Sequence, residues 1–138
     1  FAAGMQVGVG TNEVFNTYDQ GTWTPTIRGS GVTGDASYTS QEGTYTRIGR
    51  FVTVNFAVDA ATYASATGDF LVAGLPFTIV NTSDNLHYGT VGFASQINLR
   101  TGANCIAFYG NNNDTTMGIN EILDDAASQS VTGAVTVP

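Results

Sequence analysis

A chain of 138 residues is enough for one compact domain, and 42% hydrophobic residues allow it a core. Charged residues make up only 11%, well below the roughly one quarter usual in soluble domains, so the surface must be largely Thr, Ser, Asn and Gly. Lysine is absent, and four arginines face eleven acids for a net charge of −7, which argues against a nucleic-acid interface or binding to an anionic membrane.

Residues 1–17 read as an extended arm leading from an upstream stalk, because Gly4, Gly8 and Gly10 interrupt any long element. The arm lacks the basic start of a secretory signal, and it begins with Phe1, as expected for part of a longer polypeptide. Residues 18–138 read as one domain. From Thr22 the pattern has period two, placing Trp23, Pro25 and Ile27 on one face. Pro25 cannot donate to a ladder, so this strand belongs at an edge or a bulge.

Residues 29–35 form a loop, and strands over 37–40 and 43–48 flank an expected turn at Gln41-Glu42-Gly43. A short break at Gly49-Arg50 precedes the clearest strand, where Val52, Val54, Phe56 and Val58 alternate with Thr53, Asn55, Ala57 and Asp59. Residues 60–68 are expected to be a loop that exposes Tyr63. A strand over 70–73 stops at Gly74-Leu75-Pro76 and is expected to resume over 77–80. After a turn at 81–85, residues 88–99 alternate again. A turn at 101–104 leads to a strand over 105–109 that pairs with the preceding one. Residues 110–114 form a polar tip, 119–127 are the one place for a helical turn, and Val131, Val135 and Val137 mark a last strand.

The sum is an all-β fold of about eight to ten short strands, a jelly-roll-like β-sandwich with almost no helix. No apolar run reaches the ~18 residues of a membrane span, so no membrane insertion is expected.

Catalytic chemistry finds few materials here. His87 is the single histidine, without lysine or a nucleophile-elbow pattern to complete a triad, and reads as a structural histidine at a strand start. Cys105, in NCIAFY, reads as a small buried hydrophobe. One His and one Cys cannot supply a zinc site. Asp19, Asp35, Glu42, Asp59, Asp69 and Asp84 could supply a glycosidase pair, but most lie in turns where Asp bonds its own backbone. NNNDTT at 111–116 and LDD at 123–125 are oxygen-rich without the ligand spacing of an EF-hand. No catalytic residue, metal or cofactor is assigned. The ligand-binding candidates are Tyr63, His87, Tyr88, Asn111, Asn112, Asn113 and Asp114, on the segments 60–68, 81–88 and 110–116. Arg47 and Arg50 are expected to pair with acids.

Three motifs then carry a family likeness. Tyr18-Asp19-Gln20-Gly21-Thr22-Trp23-Thr24-Pro25 resembles the YEEGTWTP opening of bacteriophage tail and fibre sequences. Gly43-Thr44-Tyr45-Thr46-Arg47-Ile48-Gly49 resembles their G-x-Y-T-[RK]-I-G segment, and Gly74-Leu75-Pro76-Phe77 their GLPF. The likeness covers residues 15–80; Gly133-Ala134-Val135 departs from the G-x-Y that often closes such sequences. It implies the distal β-domain of a virion appendage, extracellular and homotrimeric, attached to upstream fibre or virion proteins and contacting host glycan through loop tips. Trp23, Pro25, Tyr45, Arg47, Gly49, Gly74, Pro76 and Phe77 would then be scaffold. Three alternatives stay open: a virion decoration or neck-fibre knob without a receptor, a carbohydrate-binding module of a longer protein, and a glycan depolymerase.

Overall fold

A computed structural model describes residues 5–6, 14–15, 17–81, 87–95, 103–123 and 129–130. Among these, every helix or strand assigned is a strand. In chain order they are β1 (Met5–Gln6), β2 (Val14–Phe15), β3 (Tyr18–Trp23), β4 (Thr26–Gly29), β5 (Asp35–Ile48), β6 (Phe51–Ala64), β7 (Phe70–Ala73), β8 (Tyr88–Thr90), β9 (Ala103–Gly110), β10 (Thr116–Leu123) and β11 (Gln129–Ser130). The domain is all-β, as the alternation predicts. In the arm, β1 and β2 pair antiparallel with each other.

Two antiparallel sheets form the sandwich. One has the order β3-β5-β6; the other has the order β4-β7-β10-β9-β8, with β11 pairing β10 beyond the end of β7. Pro25 explains how the chain enters both. Its missing N–H ends β3 in the small sheet, and the chain crosses to begin β4 at the edge of the large one. The crossover is buried: Trp23 and Ile27 are each 8% exposed and Pro25 is below 2%. Gln41 Nε2 donates to the Pro25 carbonyl at 2.7 Å, and Ile27 N donates to the Tyr38 hydroxyl at 2.8 Å, which ties β5 to the crossing chain.

The core joins Trp23, Ile27, Tyr63, Phe70, Val72, Leu75 and Ile119, flanked by Val54, Phe56 and Val58 from β6 and Phe108 from β9. Trp23 meets Phe56 edge-on at 5.6 Å, and Phe56 meets Phe108 at 5.3 Å, so aromatic contacts run from one sheet to the other.

Several expectations are corrected. Gln41-Glu42-Gly43 is not a turn; it lies within the unbroken β5. Trp23 sits directly across from Gly43, and a Cβ there would come within 2.5 Å of the indole Nε1, so Gly43 is glycine to admit the ring. Residues 60–64 continue β6, and Tyr63 is 9% exposed in the core, edge-on to Phe70 at 5.9 Å. Residues 119–123 are strand because β10 is paired on both sides, by β9 and by β7 and β11. Cys105 is exposed, since β9 turns Ile106 and Phe108 into the sandwich and therefore Cys105 out. Residues 77–80 do not resume a strand; of the strand expected over 88–99, only Tyr88–Thr90 is strand within 88–95, leaving Phe93 87% exposed, and 96–99 lie outside the described residues. The strand expected at Val131–Val137 and the turn residues 82–85, 101 and 102 lie outside the described residues, as do 124–127.

Candidate functional site

The motif residues come together first. Tyr45 and Arg47 point to the inner side of β5, and the loop after β7 brings Phe77 against both. The Tyr45 and Phe77 rings meet edge-on at 5.1 Å, and the Arg47 guanidinium carbon lies 5.1 Å from the centre of the Phe77 ring. Arg47 Nε also donates to the Gly49 carbonyl at 2.9 Å, so a π face and a turn hold the guanidinium where an acid was expected. Gly49 takes φ of 59° at the first position of the two-residue turn, the geometry that suits the twist of a hairpin. Gly74, at φ 90°, lets the chain turn out of β7 toward Phe77. Tyr45 donates to Asp19 Oδ2 at 3.2 Å. Desolvation, then that hydrogen bond and the Asp19 charge, push the Tyr45 phenol above its ordinary pKa.

The loop that carries Phe77 also carries the floor of a second cluster. Leu75 N donates to the Thr115 carbonyl, Ile79 N to the Asp114 carbonyl, and Asn113 N to the Ile79 carbonyl, at 2.9 to 3.1 Å. Gly110 N donates to the His87 carbonyl at 2.8 Å, and His87 Nε2 donates to the Val80 carbonyl at 3.2 Å. Two of the three expected contact segments, the end of 81–88 and all of 110–116, therefore meet at one end of the sandwich. The third, 60–68, lies at the opposite end of β7, where Thr67 and Asp69 bond the Ser30–Val32 loop. Tyr63 belongs to the core there and is corrected as an exposed loop aromatic.

Within the 110–116 turn the polar side chains mostly hold the turn itself. Asp114 Oδ1 accepts from Thr115 N at 2.6 Å, and its Oδ2 accepts from the Thr116 hydroxyl at 3.0 Å. That hydroxyl accepts in turn from Asn111 Nδ2 at 2.9 Å. Both Asp114 oxygens are thus engaged, and Thr116 is 2% exposed. Asn113 stands at the tip, exposed, with φ of 59°, a conformation asparagine tolerates better than most residues. Asn112 is half-buried.

Tyr88 is the open aromatic of this end, 71% exposed. It lies across from Tyr109 on the outer face of β8 and β9, and Tyr109 lies across from Gly118. A Cβ at Gly118 would fall 2.2 Å from Cζ of Tyr109, so that ring lies over β10, on the side of β9 away from Tyr88. Tyr88 and Tyr109 share that outer face as an aromatic ledge bordered by the 110–114 turn. Residue order alone does not reveal Tyr109 as its second member; the β8–β9 register does.

Among the described residues no three of His, Cys, Asp and Glu gather as metal ligands would. Of the carboxylates considered as a pair, Glu42 and Asp59 share the outer face of the β5–β6 hairpin as diagonal neighbours, Glu42 opposite Ala57 and Asp59 opposite Ser40. Both are exposed. Asp84 lies outside the described residues. Comparison with models of protein families, with curated proteins and with solved structures finds no match to this chain.

Proposed function

We propose that this chain is the distal β-domain of a bacteriophage appendage, a homotrimeric knob on a longer fibre, extracellular on the virion, that contacts a host surface at the end carrying Tyr88. The observation that supports this reading is the meeting of the three motifs. Trp23 from the first packs on Gly43 of the second, and Tyr45 and Arg47 from the second pack on Phe77 of the third. Residues that carry a likeness are here one packing unit, so the likeness concerns a folded scaffold rather than scattered matches. Binding then falls to what the scaffold displays. Tyr88, Tyr109 and Asn113 supply ring surface and amide groups there, materials suited to a glycan.

Low charge and a threonine-rich surface also suit packing against copies of the same chain. The test is the solution mass of the chain by light scattering, followed by a host-glycan array. A mass near three times 14.4 kDa supports the knob. A clean monomer removes it and favours the second reading, a carbohydrate-binding module, for which the Tyr88–Tyr109 ledge needs no copies.

A further inference from the structure

The outer face of the β3-β5-β6 sheet is organised in cross-strand rows. Tyr18, Ile48 and Phe51 form one row, Gln20, Thr46 and Thr53 the next, and Thr22, Thr44 and Asn55 the third. No charge occurs in these rows. Tyr18 is 67% exposed and Phe51 69%, so the first row is an apolar shelf open to solvent. The Tyr18 hydroxyl donates to Gln20 Oε1 at 3.0 Å, which lays the ring along the strand and leaves the Gln20 amide NH2 as a donor. The side chains of Thr22, Thr44, Thr46, Thr53 and Asn55 make no hydrogen bond to another described residue. Between the second and third rows lies a shallow depression of about 350 Å³ lined by Gln20, Gly21, Thr22, Thr44, Tyr45 and Thr46.

We infer that this face binds a neutral oligosaccharide, with Tyr18 and Phe51 each packing on a sugar ring and Gln20, Thr44, Thr46, Thr53 and Asn55 bonding the sugar hydroxyls. Three kinds of observation select that ligand. A sugar presents an apolar ring face beside a dense set of hydroxyls, and the three rows present an aromatic shelf beside unengaged hydroxyls and amides. A protein partner that buried those groups would have to satisfy each of them or bear its desolvation. Strand spacing gives the patch a width of roughly 10 Å and a length of roughly 14 Å, which suits a short oligosaccharide rather than one sugar. Charge narrows the class. The three rows hold no charge; Arg50 stands in the turn at the shelf end, and Glu42 and Asp59 lie beyond Asn55 at the other. On a chain at −7, a neutral sugar therefore fits along the rows and an anionic one is disfavoured toward the carboxylate end.

The inference gives the receptor reading a second site and a ligand class, but it does not rest on membership of a virion. A monomeric chain that bound through Phe51 would keep this inference and lose the trimer.

The experiment is an NMR titration of the full chain with neutral gluco-, galacto- and manno-oligosaccharides of four to six units, beside sialylated counterparts. Shift changes are expected at Tyr18, Thr44, Thr46, Phe51 and Thr53, with the sialylated sugars binding more weakly. Tyr18→Ala and Phe51→Ser should each weaken binding about tenfold, the effect of losing one well-packed aromatic contact. Thr44→Val, which keeps shape and removes a hydroxyl, guards against loss of fold in the aromatic variants. Shift changes at Tyr88 and Asn113 alone, tighter binding of sialylated sugars, or no binding across the panel would each overturn the inference. So would a fall in solution mass on Phe51→Ser, because the face would then be covered by another copy.

Discussion

The inner and outer faces of the β5–β6 hairpin are made by the same two strands, one residue apart, yet they carry different chemistry. Inward, Tyr45, Val54, Phe56 and Val58 pack against Trp23, Phe77 and Phe108. Outward, Thr44, Thr46, Thr53 and Asn55 meet water between an aromatic row and two carboxylates. The recognisable motif side chains Trp23, Tyr45 and Arg47 point inward, while the threonines set between them point outward. A likeness carried by such motifs speaks mostly of packing. What the molecule touches is written in the residues between.

The comparison breaks most readily at Trp23. Replacement by Ala should destabilise the domain by about 3–5 kcal/mol in denaturant unfolding, the range for losing a buried aromatic side chain. Trp23→Phe should cost far less than the lost volume suggests. It keeps a ring near Phe56 and removes an indole N–H that is buried without a hydrogen-bond partner. Equal losses for the two variants would mean that the indole N–H has a partner in solution.

Phe77 is next. It is only half-buried, but it closes the inner face over Tyr45 and Arg47. Phe77→Ala should cost about 1–3 kcal/mol, less than a fully buried ring. Its coupling with Tyr45→Ala in a double-mutant cycle should be about 0.5–1.5 kcal/mol, and additivity would show that the edge-on contact contributes nothing of its own.

A smaller effect follows from the phenols on the inner side. Burial raises the Tyr63 pKa, with the neighbouring Tyr38 adding to it. The folded state therefore holds its proton to higher pH than the unfolded chain does. Stability is intact below the ordinary tyrosine pKa of about 10 and falls as pH rises beyond it, since the unfolded state ionises first. Tyr63→Phe should flatten the decline of the unfolding midpoint above that pH. An unchanged slope would place the titration elsewhere.

How far the sequence reveals these faces depends on which contacts are local. The alternation over 52–58 foretells both faces of β6, because a strand must send successive side chains to opposite sides. Pro25 likewise announces an edge, and β3 and β4 both lie at one, but the single strand expected across it is two strands in different sheets. Gly43 misleads because a glycine suits a turn and an aromatic neighbour equally well, and only the β3–β5 register, set by distant residues, decides. Tyr63 misleads because AATYASATG has the small polar residues of a loop, while its one ring is carried inward by pairing with the start of β5. Residues 119–123 have local helical character, which pairing on both edges overrides. The same limit governs the candidate sites. His87, Tyr88 and the 111–114 turn are visible singly, but their meeting depends on the β8–β9 pair. The outer rows are half visible in β6 and become a surface only when β3 and β5 align beside it.

The smallest expected effect is the sharpest test of the two-face picture. Thr44→Val changes an exposed outward hydroxyl to a methyl and leaves the backbone free to remain strand, since both residues are β-branched. The Thr44 hydroxyl holds nothing in the described structure, so no bond is lost on folding. The stability change should stay within about 0.5 kcal/mol in either direction, as at ordinary surface positions. The neighbouring inward position behaves oppositely. Tyr45→Ala, one residue along the same strand, removes the ring from Phe77 and the hydroxyl from Asp19, and should be destabilising by chemical unfolding under the same conditions. If Thr44→Val proved as costly as Tyr45→Ala, the outer face would itself be buried, and the division between a packing face and a contacting face would fail at the strand where it is most sharply drawn.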